Sequence, residues 1–209
     1  MCDEIRVLGL TGGIGTGKST AAEFLKGIGF AHVDADKISR GLTADGSPML
    51  AILDGVFGPK GEMGISGKHI LDENGSLDRK GLASIVFVDE KKKDKLDEIM
   101  MSSIIDEIDR QIEFHKKQGT AAGILLDAPL LFEAGLQDRC DKVLLMIADI
   151  NIRIKRVCAR DNTTENDVRN RIANQMSDEE KITMADIIVD NSGSREDLIY
   201  NLEMKIKEF

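Results

Sequence analysis

A glycine-rich stretch near the start of the chain reads GLTGGIGTGKST over residues 9–20. Residues 12–19 match the pattern GxxxxGK[ST], between a short apolar run and a stretch typical of a helix. In that setting backbone amides and a lysine bind phosphate oxygens, and a hydroxyl binds Mg²⁺. The alternative is a turn whose glycines serve close packing only. We predict a triphosphate site at Gly13, Ile14, Gly15, Thr16, Gly17, Lys18, Ser19 and Thr20, with Ser19 as the Mg²⁺ ligand.

Acidic residues follow two further apolar runs. Asp34 and Asp36 stand in VDADK at residues 33–37, where one could take the proton of an attacking hydroxyl and the other organise Mg²⁺ or water. The alternative is that both cap the next helix. Asp127 ends the run GILLD, and we expect it either beside Mg²⁺ without direct ligation or on the amides of a turn.

A basic segment lies at residues 153–171, with six basic and three acidic residues in a chain whose net charge is −9. Arg153, Arg156 and Arg160 are spaced to share one face of a helix. We expect Arg156 and Arg160 to bind triphosphate oxygens from a lid. Arg153 taken by itself favours a solvated helix face.

The sequence holds neither the NKxD motif by which GTPases read a base nor the LSGGQ signature of ABC-type ATPases. A small-molecule kinase remains, and it requires a base for the hydroxyl and cations around the moving phosphoryl group. The predicted loop, acids and arginines could supply both.

Short apolar runs between breakers predict the elements that position these residues. Each run is too short for an ordinary helix and lacks polar alternation, which is typical of strands buried in a parallel sheet. We therefore predict a three-layer α/β P-loop NTPase fold with about five parallel strands. Helices should begin after Thr164 and Ser194, and Asn74-Gly75 should form a turn. The runs lie at residues 5–10, 30–35, 123–128, 142–148 and 186–191.

Composition limits the partners and the compartment. A net charge of −9 disfavours nucleic acid and anionic membranes, and no stretch has the length of a membrane span. The acidic N-terminal stretch differs from a signal peptide, so we expect a cytoplasmic protein with reduced cysteines and no obligate protein partner. Three scattered histidines are interpreted as packing or surface residues. The cysteines are Cys2, Cys140 and Cys158, and the histidines are His32, His69 and His115.

Five blocks of the sequence, in order and spacing, resemble the dephospho-CoA kinase family. They are GLTGGIGTGKSTAAEFLKGIGFAHVDADKISR, LDRKGLASIVFVD, DAPLLFEAGL, IKRVCARDNTTENDVRNRIANQ and ADIIVDNSGS. The resemblance implies a fold like that of nucleoside monophosphate kinases. It implies Mg²⁺-dependent transfer of the ATP γ-phosphate to the ribose 3′-hydroxyl of dephospho-CoA. The implied parts are a core at 1–43, 120–150 and 180–209, a helical CoA-binding insertion at about 44–119 and a lid at about 151–179.

The resemblance also implies roles for individual residues. Lys18 and its loop would hold ATP, Asp36 would be the base, and Arg156 and Arg160 would be the lid arginines. Asp34, Asp36 and Arg79 would face the acceptor. The chain departs from the family at Ser102-Ser103, where His-Pro is usual, and we expect this to alter acceptor binding more than ATP chemistry. A kinase of another nucleoside-like hydroxyl and a non-catalytic nucleotide-binding module are the alternatives.

Overall fold

Five apolar stretches form a parallel sheet in the computed structural model, which describes residues 5–207 and 209. The strand order is β2-β3-β1-β4-β5, so the first strand along the chain lies at the centre. Every pairing is parallel, and each strand lies within three residues of its predicted run. The predicted α/β fold is therefore confirmed. The strands are β1 Val7–Gly12, β2 Phe30–Asp34, β3 Gly123–Asp127, β4 Lys142–Ile147 and β5 Ile187–Asp190.

Helices connect the strands and follow the last one. In α7 and α9, Thr164 and Ser194 accept hydrogen bonds from the amides of Asp167 and Asp197, which confirms both predicted helix starts. The helices are α1 Lys18–Gly27, α2 Ala35–Leu42, α3 Pro48–Phe57, α4 Arg79–Val86, α5 Glu90–Gln118, α6 Ile150–Asp161, α7 Glu165–Ala173, α8 Asp178–Met184 and α9 Arg195–Ile206. A short 3₁₀ helix spans Leu136–Arg139.

The chain divides into two compact units. The first contains the residues up to Asp34 and those from Gln111 onward, and the second is Ala35–Arg110. In the first unit, apolar side chains of α1 and α9 pack on those of the central strands, including Leu25 and Leu202. This packing fixes the start of α1 against the carboxyl end of β1.

The second unit has an apolar core of its own. Buried side chains of α3 and α4, among them Phe57 and Ile85, form its centre. Between these helices the amide of Gly75, whose φ is +79°, donates to the carbonyl of Asp72, which confirms the predicted turn. The division begins at Ala35 because α2 belongs to this unit. The assignments of 44–119 to CoA binding and of 151–179 to a lid stay predictions.

Two of the three cysteines lie among the described residues. Cys140 and Cys158 are free thiols, and Cys2 lies outside the described residues. Burial raises the pKa of Cys140 to about 12, with the carboxylate of Asp141 adding to the effect. The Cys140 thiol therefore remains protonated and acts as a packing group.

Candidate functional site

The phosphate-binding loop joins the end of β1 to the start of α1. Gly15 and Gly17 have φ angles of +82° and +91°, in the left-handed region that favours glycine. Gly17 is also the N-cap of α1 and supplies no side chain to the first-turn amides. The amide of Thr20 donates to the carbonyl oxygen of Gly17 at 3.0 Å, so the earlier first-turn amides and the positive end of the helix are available to an anion.

Asn191, just after β5, buttresses this loop. Its Nδ2 donates to the carbonyl oxygen of Thr16 at 2.8 Å, and the residue is buried. A Cβ atom at Gly17 would collide with this amide group. The glycine at this position therefore has a steric reason besides its backbone angle.

Lys18, Asp127 and His32 meet at the carboxyl edge of the sheet. Lys18 Nζ pairs with Asp127 Oδ1, and His32 Nε2 lies 3.1 Å from Asp127 Oδ2. They meet because β1 and β2 flank β3 in parallel register. Burial alone would raise the pKa of Asp127, but the hydrogen bond from His32 and the charge of Lys18 lower it below its ordinary value. The carboxylate is thus held ionised beside the loop lysine.

The sequence interpretation missed His32, which is half-buried and contacts Asp127 rather than packing in the core or facing solvent alone. Its position two residues before Asp34 was the available signal, since alternate residues of a strand share one face. That signal identifies no partner, because Asp127 is distant in sequence.

Arg153 lies against the phosphate loop, so the predicted solvated position is wrong. Its residue is only 3% exposed. Its Nε donates to the carbonyl oxygen of Ile14 at 2.9 Å, and its Nη1 donates to Asp178 Oδ2 at 2.7 Å. The i, i+3, i+7 spacing correctly placed Arg153 on one face of a helix. Burial of Arg153 on that face is favourable because Ile14 and Asp178 both accept hydrogen bonds from its guanidinium.

A cavity of about 450 Å³ lies beside the loop. Arg156 contributes to its wall, and Arg156 Nη1 is buried with no hydrogen-bond partner among the described residues. A buried unpaired guanidinium nitrogen is costly unless an anion occupies the space next to it. The lining residues are Gly17, Ser19, Thr20, Glu23, Arg156, Asn191, Arg195 and Leu198.

The other predicted site residues lie as follows. Arg160 is exposed and forms a two-point contact with neighbouring Asp161. Asp34 ends β2 opposite Asp127 in the sheet register. Asp36 is exposed in the first turn of α2, and Arg79 is exposed at the start of α4, donating to Thr43 Oγ1 at 3.1 Å.

The described residues contain no group of three or more His, Cys, Asp or Glu side chains that could hold a metal ion. Within that same part of the chain, every helix is too short or too polar to cross a bilayer.

Comparison with known proteins gives consistent matches. The family model described as dephospho-CoA kinase matches residues 6–197. A dephospho-CoA kinase of Corynebacterium glutamicum is 40% identical, over 96% of this chain and 98% of the relative. One from Enterococcus faecalis is 38% identical, over 97% and 96%.

Solved structures agree with this match. The dephospho-CoA kinase from Campylobacter jejuni is 27% identical, with a TM-score of 0.67 over 97% of this chain and 96% of that chain. TT1252 from Thermus thermophilus is 29% identical, with a TM-score of 0.75 over 99% of both chains. A shikimate kinase from Acinetobacter baumannii, 14% identical with a TM-score of 0.51 over 98% and 94%, shares the fold.

Proposed function

The chain belongs to the dephospho-CoA kinase family, and we propose that it transfers the ATP γ-phosphate to the ribose 3′-hydroxyl of dephospho-CoA. The products are CoA and ADP. The observation that carries this proposal is Arg156, which lines a cavity together with Gly17 and Ser19 and whose buried Nη1 has no hydrogen-bond partner among the described residues. In a chain of net charge −9, a guanidinium group that shares a cavity with the start of α1 is suited to phosphate oxygens.

ATP binding is assigned to the loop residues 13–20, together with Arg156 and Arg160. Lys18 is paired with Asp127, yet an ammonium group has three donors and can contact phosphate at the same time. Asp127 thereby holds the lysine at the loop. Lys18 and Arg156 would stabilise the charge that the phosphoryl oxygens carry during transfer.

Mg²⁺ would enter with ATP, and the residues present fit it. Ser19 lines the cavity at the start of α1, where its hydroxyl could bind the ion. Mg²⁺ commonly takes few protein ligands and completes its shell with water and substrate phosphates. Asp127 would act beyond the direct ligands, since its oxygens contact Lys18 and His32. The ion would neutralise charge between the β- and γ-phosphates.

Acceptor binding is assigned to Asp34, Asp36 and Arg79, with Asp36 as the base. Asp36 is exposed two residues after the end of β2, so its carboxylate is accessible to a ligand hydroxyl. Arg79 contributes to the wall of an apolar cavity of about 260 Å³ within the second unit. An apolar cavity with one cation suits the pantetheine arm and a phosphate of the acceptor.

We further propose a cytoplasmic enzyme whose partners are ATP and dephospho-CoA, with no obligate protein partner. The free thiols of Cys140 and Cys158 support a reducing compartment. The acidic net charge supports neither a nucleic-acid nor an anionic-membrane partner.

The proposal is tested by measuring ADP release with a panel of acceptors that includes dephospho-CoA. We expect release with dephospho-CoA, and strong loss in Lys18→Ala and Asp36→Asn. Exposed Lys155 and Asp45 provide matched controls, as Lys155→Ala and Asp45→Asn. Release only with another nucleoside would contradict the acceptor, and no acceptor-dependent release would contradict a kinase.

A further inference from the structure

Two side chains hold the backbone of Ile14 in the phosphate loop. Gln175 Oε1 accepts a hydrogen bond from Ile14 N at 3.0 Å, and Arg153 Nε donates to Ile14 O at 2.9 Å. Both side chains come from segments far along the chain from the loop. We infer that Arg153 and Gln175 are positioning residues that fix the phosphate loop for ATP, an inference that rests on the proposed function.

Arg153 is built into this position. Its guanidinium is almost fully buried and uses a second nitrogen to pair with Asp178, the first residue of α8. Burying an arginine is unfavourable unless its donors are satisfied. Here one donor is satisfied by the loop and another by α8, so the side chain links α6, α8 and the loop.

The segment that carries Gln175 is anchored in its turn. Lys181 of α8 is fully buried, and its Nζ lies 3.0 Å from Glu133 Oε1 as an ion pair. The same carboxylate oxygen accepts a hydrogen bond from the amide of Met176 at 3.3 Å. The residues that follow Gln175 are therefore attached to Glu133, in the segment after β3. This attachment lets Gln175 hold Ile14 at a defined place.

The loop glycines fit against Arg153. A Cβ atom at Gly13 would collide with Arg153 Nη2, and one at Gly15 would lie 2.8 Å from the Arg153 carbonyl oxygen. The absence of side chains at these glycines therefore leaves room for Arg153 of α6 as well as for phosphate. The two hydrogen bonds at Ile14 occupy its amide and one acceptor position of its carbonyl. The amides of Thr16 and Thr20 donate to carbonyl oxygens of the loop itself, so the nucleotide would use the remaining loop amides.

An effect through the loop should appear in nucleotide binding and not in acceptor binding. Without either side chain, the loop would sample positions in which its amides no longer converge on the phosphates. A residue that only stabilises the fold would instead lower the melting temperature and leave the KM for both substrates unchanged. The two roles are therefore separable by measurement.

The test uses the full chain as Arg153→Met, Gln175→Met and the double variant. The control is Lys155→Met, which removes an exposed cation from the same helix. We expect calorimetry to show ADP binding weakened by about tenfold in each single variant, which is near the upper end for a neutral hydrogen bond and the lower end for one to a charged group. The KM for ATP should rise accordingly, while the KM for dephospho-CoA and the control should not change.

The double variant should weaken binding by less than the product of the single effects, because both residues act on Ile14. Unchanged ADP affinity in both single variants would overturn the inference, whatever the melting temperature. If Arg153→Met fails to fold, Gln175→Met decides alone. ADP binding needs no acceptor, so this test is independent of the acceptor assay. A wild-type protein inactive toward dephospho-CoA would contradict the proposed acceptor. Weaker ADP binding by the variants would still support the inference.

Discussion

Asp127 at the end of β3 pairs with Lys18 of the phosphate loop, which follows the neighbouring parallel strand β1. Asp127 as a whole residue is 7% exposed, and its second carboxylate oxygen lies 3.1 Å from His32 Nε2. One buried acid therefore connects the loop lysine to β2. Its protonation would remove the charge that holds Lys18.

Substitution of this acid should have a pH-dependent effect on stability. The pKa of Asp127 is lowered from its ordinary 3.8, because contacts with His32 and Lys18 outweigh burial. As the pH falls, Asp127 is therefore protonated in the unfolded chain before it is protonated in the folded one. The stabilisation that the ionised Asp127 contributes is present above pH 3.8 and is lost below it. We expect Asp127→Asn to lower the free energy of unfolding by about 2 kcal/mol at neutral pH.

Urea unfolding of both proteins from neutral to acidic pH checks this expectation. The difference between wild type and Asp127→Asn should shrink as the pH falls through the lowered pKa of Asp127. Asp45→Asn, at an exposed carboxylate, serves as the control. A difference that stays constant across this range would show that ionisation of Asp127 contributes nothing to the fold.

Arg156 and Arg160 should differ in their effects on catalysis. Arg156 lines the cavity and has a buried nitrogen without a hydrogen-bond partner among the described residues, whereas the Arg160 side chain is 62% exposed and bound to Asp161. We expect Arg156→Met to lower kcat by about a hundredfold, the effect of losing one donor to transition-state charge. Arg160→Met should have a clearly smaller effect. Steady-state kinetics with ATP and dephospho-CoA measure both, and equal losses would contradict this ranking.

The melting temperature separates a catalytic from a structural role in the same two proteins. Arg156 Nη1 has no hydrogen bond within the described residues, so Arg156→Met should retain the wild-type melting temperature or raise it. A marked fall would indicate that Arg156 supports the fold.

Local patterns predicted the sheet and the helix starts. The apolar run of β4 and the capping residue Ser194 each act within a few residues, so their meaning depends little on the rest of the fold. The phosphate loop is local as well, since its glycines, lysine and serine are consecutive. The sequence alone therefore identified the loop and, to within two residues, the ends of the strands.

Contacts between side chains that are distant in sequence could not be predicted from local patterns. Arg153 is 139 residues from Ile14 and His32 is 95 from Asp127. A polar residue at a helical or strand position is predicted to face solvent unless its partner is known. The partner in each case depends on which strands become neighbours, and that order, β2-β3-β1-β4-β5, is a property of the whole sheet.

A methyl group at Gly13 should act through Arg153. The Cβ atom of Gly13→Ala would meet Arg153 Nη2, the end of a flexible side chain, which must move away. We expect Gly13→Ala to weaken ADP binding by about tenfold, like the loss of Arg153 itself. Methionine has no atom equivalent to Nη2. Adding Gly13→Ala to Arg153→Met should therefore weaken ADP binding by less than the same change does in the wild-type protein.

Calorimetry on the two single variants and the double variant gives this coupling directly. Lys155→Met with Gly13→Ala is the control pair, and its effects should be additive. Additive losses for Gly13 and Arg153 would mean that the methyl group disturbs phosphate binding independently of the arginine.

Ser102 offers a test of acceptor binding. Ser102 is exposed and Ser103 half-buried, and both lie inside α5, which continues unbroken from Glu90 to Gln118. Ser102→His would restore the imidazole usual in the family, and we expect a KM for dephospho-CoA that is lower by about threefold, less than one full hydrogen bond. The KM for ATP should not change. Ser103 is left unaltered, because a proline there would remove a helical hydrogen bond at a cost of about 3 kcal/mol.

Met101→His is the matched control, since it places an imidazole one residue earlier and about 100° around the same helix. Met101 is itself exposed, so the control tests the direction of the ring rather than its presence. Steady-state kinetics should show a lower KM for dephospho-CoA in Ser102→His only. An unchanged KM would show that the serine at this position is neutral for the acceptor, and equal changes in both variants would indicate a general effect of added imidazole.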